Sequence, residues 1–384
     1  IFFGRHESGP AVSGTSRGRF FESGDTALTR RKNNGQHNGH MTAAVLYGSE
    51  NLRIERVDIP KLAPDDALIR VKVALTCGTD LKVWKRGYHA RMITPPAIFG
   101  HELSGIIEML GAEVNGGLKV GARVVPSNSA PCNVCLFCRK GQSNLCEDLL
   151  FNNGAYAEYI RIPGRIVRQN MLVIPEHVSF QDAALVEPLA CVLRGIHETG
   201  VQAGDTTVVI GCGPIGLKFV RILSGRGVKV IALGKRPNQI RAAEQFGARA
   251  AFIAADLPDP VRTVRQLTEG GCGADSVIEA VGTPQTWEWA LRIVRRGGTV
   301  NLFGGCPRGS QVQVDSNALH YSEITIKSTF HHTPRFIREA LEAVARGEIR
   351  SSDFVNAEIP LSDLPKMFEH MKHRNGEMKV AVIP

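Results

Sequence analysis

The sequence predicts two kinds of structure in one chain: a mostly β unit, followed by an α/β unit on a parallel sheet covered by helices on both faces. Three observations carry this. From Met41 to about Pro175 the apolar residues come in short strand-like runs broken by turns, such as ALIRVKVALT, GIIEML, ARVVPS and AEYIRI, with no long helical period. From 206 to 300 short apolar strands alternate with helical stretches, the pattern of a parallel sheet buried on both sides. At the first strand-to-helix junction of that second unit stands a G-x-G-x-x-G turn.

Taken in order, residues 1–40 differ from the rest. They are rich in Gly, Ser, Asn and Arg without a sustained period, and they read as a disordered extension or a cloning remnant; a targeting or interaction arm is the other account. The first unit begins at Met41, where TAAVLYG reads as a strand. SFQDAALVEPLACVLRGIHETG, residues 179–200, changes to a helical period and contains the break between units, placed at 187/188. The second unit, 188–325, runs TTVVIGCG (strand), PIGLKFVRILSG (helix), VKVIAL (strand), PNQIRAAEQFG (helix), ADSVIEAVG (strand), TWEWALRIVRR (helix) and GTVNLFGG (strand). The tail, 326–384, offers ITIKSTF, a helix over PRFIREALEAVARG and a last strand MKVAVIP.

A length of 384 residues suits about two domains. The net charge of +9 includes +3 from residues 1–40 and is otherwise not gathered on one element, so it reads as a basic surface and not as a nucleic-acid face. No run of eighteen apolar residues exists, so no membrane span is expected, and the cytoplasm is the default location.

Nine cysteines, an odd number, argue against a simple disulfide framework. Four of them, Cys132, Cys135, Cys138 and Cys146, fall in PCNVCLFCRKGQSNLC within the lobe 131–147, spaced C-x2-C-x2-C-x7-C. Four thiolates make the closed tetrahedral shell of a structural zinc, which has no open position for chemistry; iron–sulfur or redox chemistry is the other use of such a set. A second set stands apart: Cys77 in TCGTDLK, His101 and Glu102 in FGHE, and Glu187 in VEPLA. Each alone is weak: the cysteine has an ordinary reading as a small core residue and the histidine as a surface group. Together they offer a thiolate, an imidazole and two carboxylates, a set that holds zinc while leaving a position for water or substrate. A zinc there acts as a Lewis acid on an alcohol oxygen. Thr79 is placed to take the alcohol proton, or it caps a helix; Asp80 orients an imidazole, or caps.

The glycine turn places Gly211 for the tight bend, Gly213 for close approach of a pyrophosphate and Gly216 for helix–strand packing, with Pro214 and Ile215 opening the helix whose N-terminal amides face the anion. A dinucleotide is therefore the expected cofactor. About twenty residues on, where an NAD site usually carries Asp or Glu, the second strand ends in Gly234, Lys235 and Arg236. The missing carboxylate removes a repulsion from the place of a 2′-phosphate, glycine leaves volume for it, and Arg236 and Lys235 supply cations. NADP is expected over NAD.

From Met41 on, the chain resembles the zinc-containing medium-chain dehydrogenase/reductase family, which includes alcohol, threonine and polyol dehydrogenases. The resemblance rests on CGTD, GHE, the four-cysteine lobe, VGARV, EPLA and the nucleotide fingerprint, in family order over about 340 residues. It implies a GroES-like catalytic domain split in sequence around a Rossmann domain, an active-site cleft between them, and a homodimer or homotetramer. It implies Cys77 and His101 as catalytic-zinc ligands, and Glu102 as the neighbouring carboxylate that exchanges onto the metal. Glu187 stands where alcohol dehydrogenases often have a second cysteine, as in the polyol and threonine branches, coordinating directly or through water. GKRP resembles the G-x-R-P of NADP-dependent members. One departure is Lys82, at the place of a relay histidine; the proton exit then runs through cofactor hydroxyls and water, or Lys82 meets an acidic substrate. Expected partners are an alcohol or polyol, with no nucleic acid and no membrane. A catalytically inactive nucleotide-binding or structural protein on the same fold is the alternative. Trp84, Tyr88, His89 and Phe330–His332 are candidates to border the substrate pocket.

Overall fold

The structure, a computed structural model, describes residues 39–88, 91–373 and 378–384. The extension expected over 1–40 lies outside the described residues except for its last two, and so does His89.

The first unit is built on a seven-stranded sheet. Its spatial order is Met171–Val173, Arg123–Pro126, Glu102–Leu110, Ala67–Leu75, Lys379–Ile383 and Val355–Pro360, and Tyr159–Ile162 also pairs with Ala67–Leu75. The strand that ends the sequence lies antiparallel beside Ala67–Leu75, with Ala381 opposite Leu75. On the other side of Ala67–Leu75, Glu102 stands opposite Leu75. The residues just past Leu75 are thus flanked by the start of one neighbour and by the residues leading into the other. A smaller three-stranded sheet, Asn51–Asp58, His40–Gly48 and Ala97–Ile98, completes this β-rich part.

The second unit is a six-stranded sheet in the order Ala250–Ile253, Lys229–Gly234, Thr206–Ile210, Ala274–Glu279, Val294–Leu302 and Thr325–Ser328. Every neighbouring pair is parallel. In chain order this is 3-2-1-4-5-6, the doubly wound arrangement that binds dinucleotides outside the carboxyl ends where the strand order reverses. The strands read as unbroken apolar runs because both faces are covered. Val209 packs into a cluster with Leu189, Leu193 and Phe219, while Val208 and Ile210 pack on the opposite face with Val261 and Ile293.

Two expectations at element borders change. The helix read through TWEWALRIVRR ends at Ile293, and Val294 begins the next strand, because Val294 pairs with Ala274. The border expected at 325/326 falls inside the strand Thr325–Ser328, which pairs with Val294–Leu302. Helix Val186–Thr199 joins the two units: its Leu189 and Leu193 share one core cluster with Leu75 and Ala381 of the first sheet and with Val209 and Ala232 of the second.

Candidate metal centre and nucleotide edge

Cys77 follows strand Ala67–Leu75 by two residues and caps helix Gly78–Arg86. Its Sγ accepts from the Thr79 amide at 3.4 Å, and the Asp80 carboxylate accepts from the Cys77 amide at 3.2 Å. This reciprocal box fixes the thiol at the helix N-terminus. The strand pairing then brings in His101 and Glu102. One ligand atom each of Cys77, His101 and Glu102 lies within 4.8 Å of the others.

The supports of this group are specific. Asp80, buried, places Oδ1 2.9 Å from His101 Nδ1. Tyr156, fully buried, donates from its hydroxyl to Asp80 Oδ2 at 2.6 Å. Burial by itself pushes the His101 ring toward the neutral form; the Asp80 charge and the Cys77 sulfur outweigh it and hold its pKa well above the usual imidazole value. A cation at this point replaces that proton. Glu102 is wholly buried, with Oε2 paired to Lys379 Nζ and Oε1 left without a partner. Lys379 also donates to the Thr76 carbonyl at 2.9 Å. An orphaned buried carboxylate oxygen beside a thiol and an imidazole is a donor set that fits a zinc ion.

Glu187 is not part of this close group. It lies in the first turn of helix Val186–Thr199 and groups with Cys191 and His331. Burial raises its pKa to about 7, against the pull of His101 and together with the push of Glu102. Its Oε1 is 3.6 Å from His332 Nε2, which in turn sits 3.0 Å from Asn128 Oδ1 and 3.2 Å from Ser127 Oγ. Lys379, Tyr156 and Cys191 were not found from the sequence. A lysine opening an apolar strand, as in MKVAVIP, is the one signal that pointed to any of them. Trp84, a pocket candidate, is instead buried in the core, its ring 5.7 Å from that of Phe368. Tyr88 and Lys82 are exposed.

The four lobe cysteines also come together, all free of disulfides, with ligand atoms within 4.8 Å of one another. Cys132 and Cys138 are 4.0 Å apart at sulfur, Cys135 and Cys146 3.9 Å. A disulfide needs about 2.05 Å. The edge of a tetrahedron with metal–sulfur bonds of about 2.3 Å is close to 3.8 Å, so the spacing matches a closed zinc shell. Without a metal the thiol pKa values are driven apart: backbone amides of Cys138 and Glu147 pull Cys135 down to about 6, while burial pushes Cys138 up to about 12 and raises Cys146. Cys135→Ser is expected to release this zinc and lower Tm by several degrees, at roughly 2–4 °C per kcal/mol lost. Thermal scans with elemental analysis read both. Unchanged Tm with full zinc content would remove the site.

At the nucleotide edge, Gly211 takes φ +103, and a Cβ there would meet Val281 Cγ2 at 2.6 Å. A Cβ on Gly216 would strike the Gly211 carbonyl at 1.7 Å, whereas one on Gly213 would meet nothing within 4 Å. The first and third glycines are thus required by packing. The second leaves its face open at the N-terminus of helix Pro214–Gly225, a cradle that fits a pyrophosphate. One expectation is corrected here. The space over Gly234 is not open: a Cβ would meet Ile240 Cδ1 at 2.8 Å and Cys212 Sγ at 3.3 Å. Gly234 is therefore explained by packing against Ile240 and Cys212 and not as room for a phosphate.

Comparison with known proteins agrees with this geometry. Residues 63–173 match the alcohol dehydrogenase GroES-like domain, and residues 214–346 match the zinc-binding dehydrogenase domain. A protein assigned as D-xylulose reductase A in Emericella nidulans is 30% identical over 342 residues, 86% of this chain and 93% of that one. The chain belongs to the zinc-binding medium-chain dehydrogenases. The sorbitol dehydrogenase of Bacillus subtilis is 29% identical over 90% of this dehydrogenase and 98% of its own length. Among solved structures, a protein assigned as a zinc-binding dehydrogenase from Sinorhizobium meliloti, holding NADP, superposes with a TM-score of 0.81 at 30% identity, covering 90% of this chain and all of that one. This dehydrogenase is accordingly a zinc-binding oxidoreductase that works with a nicotinamide nucleotide, with two candidate zinc sites in its fold. Among the described residues no helix is long and apolar enough to cross a membrane.

Proposed function

We propose that this dehydrogenase interconverts an alcohol or sugar alcohol and its ketone or aldehyde, with NADP preferred over NAD. The observation that carries it is the Cys77–His101–Glu102 group, with an orphaned Glu102 oxygen, in a chain whose parallel sheet carries an open glycine cradle. D-xylulose reductase and sorbitol dehydrogenase are the activities named for two relatives, and both are polyol chemistry.

In this reading the catalytic part is residues 41–187 with the segment that returns after Ser328, and the part between binds the nucleotide. Cys77, His101 and Glu102 hold the catalytic zinc, with Glu187 nearby, and zinc supplies a Lewis acid for negative charge developing on the substrate oxygen. A bound nicotinamide would supply the hydride acceptor. Asp80 and Tyr156 keep the His101 ring oriented. Thr79, half-buried two residues after Cys77, receives the hydroxyl proton. Polyols, sugar derivatives and simple secondary alcohols assayed by nicotinamide absorbance test the reading. Turnover of a polyol that chelation abolishes and zinc restores is expected; no turnover of any alcohol by protein with both zinc ions bound would overturn it.

For the cofactor, the support is the absence of a carboxylate at Gly234 and the pair Lys235 and Arg236 at the start of helix Pro237–Gln245. The relative from Sinorhizobium meliloti, which holds NADP, agrees. Arg236→Ala is expected to cut kcat/KM with NADP by roughly 10- to 100-fold, the worth of a hydrogen bond to a charged group, and to leave NAD within about twofold. An equal loss with both nucleotides would remove Arg236 from phosphate binding. Gly234→Asp is the poorer test, since its side chain must first displace Ile240.

The dehydrogenase is also proposed to be a homodimer or homotetramer. All four residues of edge strand Thr325–Ser328 are exposed, and Tyr321 beside it is 75% exposed. An unpaired strand edge of this kind is a template for a second copy. Light scattering is expected to show a dimer or larger, and Ile326→Pro to shift it toward monomer; a monomeric parent protein would sink the idea.

A further inference from the structure

Two lysines among the described residues are closed off from solvent, Lys218 and Lys379. They are held differently. Lys379 pairs with Glu102 and donates to the Thr76 carbonyl. Lys218 pairs with no carboxylate among the described residues; its Nζ lies 3.4 Å from the Pro214 carbonyl, a long contact, and 4.0 Å from the centre of the Phe354 ring. An ammonium has three N–H donors, and no further partner is present among the described residues. Burying a cation without an anion is costly, and an apolar side chain of like size would fold at least as well. Folding alone therefore gives no reason for a lysine here.

Its place in the fold does. Lys218 stands in the second turn of helix Pro214–Gly225, which opens from the glycine cradle. Helical side chains project back toward the N-terminus, and the contact with Pro214, the first residue of the helix, shows this one doing so. The ammonium is thus carried toward the end of the helix where Gly213 leaves its face open. Phe354, fully buried ahead of strand Val355–Pro360, covers it on another side, with the Phe246 ring 5.2 Å behind. The charged groups that face Lys218 are Lys379 of the last strand, Glu102 and Cys77 of the metal group, and Glu187 of helix Val186–Thr199. None of them pairs with it. Glu102 is already paired with Lys379, and Glu102 and Cys77 belong to the donor set that fits zinc, whose charge offsets theirs. Burial pushes the Lys218 ammonium down to about 7, with Lys379 adding to the push and Glu102, Cys77 and Glu187 opposing it.

We infer that Lys218 is the buried counter-charge for the pyrophosphate of the nucleotide: the protein keeps a cation behind the cradle without an anion, and the nucleotide brings one. The inference rests on the nucleotide reading and goes beyond it, since a cradle at a helix N-terminus needs only backbone amides. Lys218 is a positioning residue, acting by its charge through the first turn of the helix, where a dry interior makes that charge count for more than it would in water. A proton moves with it. The arriving anion favours the charged amine, so the amine takes a proton from solvent as the nucleotide binds. Binding then weakens as pH rises above about 7, by at most about tenfold per pH unit for one linked proton.

The test uses the zinc-loaded dehydrogenase without alcohol. NAD is the probe for protons, because it has no group that titrates near neutral pH, and NADP is titrated beside it for affinity. Calorimetry with NAD at about pH 8, in two buffers of different ionisation enthalpy, is expected to show uptake of roughly half to one proton per chain. Lys218→Met is expected to remove that uptake and to raise Kd at least about tenfold for NAD and NADP alike, because both carry the pyrophosphate. Its Tm is expected at or above the parent value, since a buried charge is gone. A lysine that only supported the fold would give the reverse, a lower Tm with an unchanged proton count. Lys218→Gln, neutral but polar, is expected to match Lys218→Met in protons and in affinity, and it decides the matter if the methionine variant does not fold. The inference is overturned if the parent takes up no proton with NAD. It is equally overturned if a folded variant takes up as many protons as the parent, or binds NAD within about twofold of it. These outcomes leave the nucleotide reading standing, because the parent still binds; a zinc-loaded parent that binds neither NAD nor NADP overturns both.

Discussion

His101→Ala is expected to lower kcat by roughly 10²- to 10⁴-fold, the range that several kcal/mol of lost Lewis-acid stabilisation gives at about 1.36 kcal/mol per tenfold. The physical reason is local. His101 is buried between Asp80 and the Cys77–Glu102 pair, so its removal leaves two anionic ligands and an Asp80 carboxylate facing a void. Zinc content is expected to fall from two ions per chain toward one, with the lobe cysteines keeping theirs. Nucleotide binding, followed by fluorescence titration, is expected to stay near the parent value, since Gly211, Gly213 and Gly216 lie between strand Thr206–Ile210 and helix Pro214–Gly225 of the second unit. Parent-like turnover, or two zinc ions retained in an inactive protein, would show that His101 is not a metal ligand.

Thr79→Val is expected to lower kcat by roughly 10²-fold or more, the usual worth of a positioned proton-transfer group, while zinc content and nucleotide affinity hold. Valine keeps the shape and β-branching of threonine at the second residue of helix Gly78–Arg86, and the backbone amide that donates to Cys77 Sγ is untouched. The variant therefore removes the hydroxyl and little else. Thr79→Ser restores a hydroxyl and is expected to recover most of the rate. A Thr79→Val rate within about twofold of the parent excludes an essential relay. Loss of zinc in that variant would instead place Thr79 among the supports of the metal site.

Several parts of this protein were legible one residue at a time. The four lobe cysteines lie within fifteen residues, so their spacing alone brings the sulfurs near one another, and the structure places them at tetrahedral distances. The glycine turn was equally local: the strand before it, the helix after it and the three glycines between them are consecutive, and steric contact at Gly211 and Gly216 explains two of them. Alternating short strands and helices sufficed for the parallel sheet because strands buried on both faces must be apolar throughout.

Where the sequence fell short, the missing information was register or packing. Nothing local says that Lys379, at the far end of the chain, sits against Glu102; this follows only because Ala67–Leu75 accepts the last strand on one side and Glu102–Leu110 on the other. Gly234 shows the same limit in reverse. Its lack of a side chain read as room for a phosphate, but the volume belongs to Ile240 from the next helix. Trp84 read as a pocket residue, but it faces Phe368 from the C-terminal segment.

Glu187 is the sharpest case. Its residue type and its EPLA context marked it as a ligand, and both are sequence properties. Its neighbours are set by the packing of helix Val186–Thr199 between the two sheets, and that packing gives it Cys191 and His331 for close company and not Cys77. The sequence by itself determined which chemical groups this dehydrogenase has and which short-range constellations they form, because ligand type, cap and turn geometry act over a few residues. The tertiary structure decided which distant groups meet, because strand register and helix packing are fixed by burial summed over the whole core, and no short stretch of chain contains that sum.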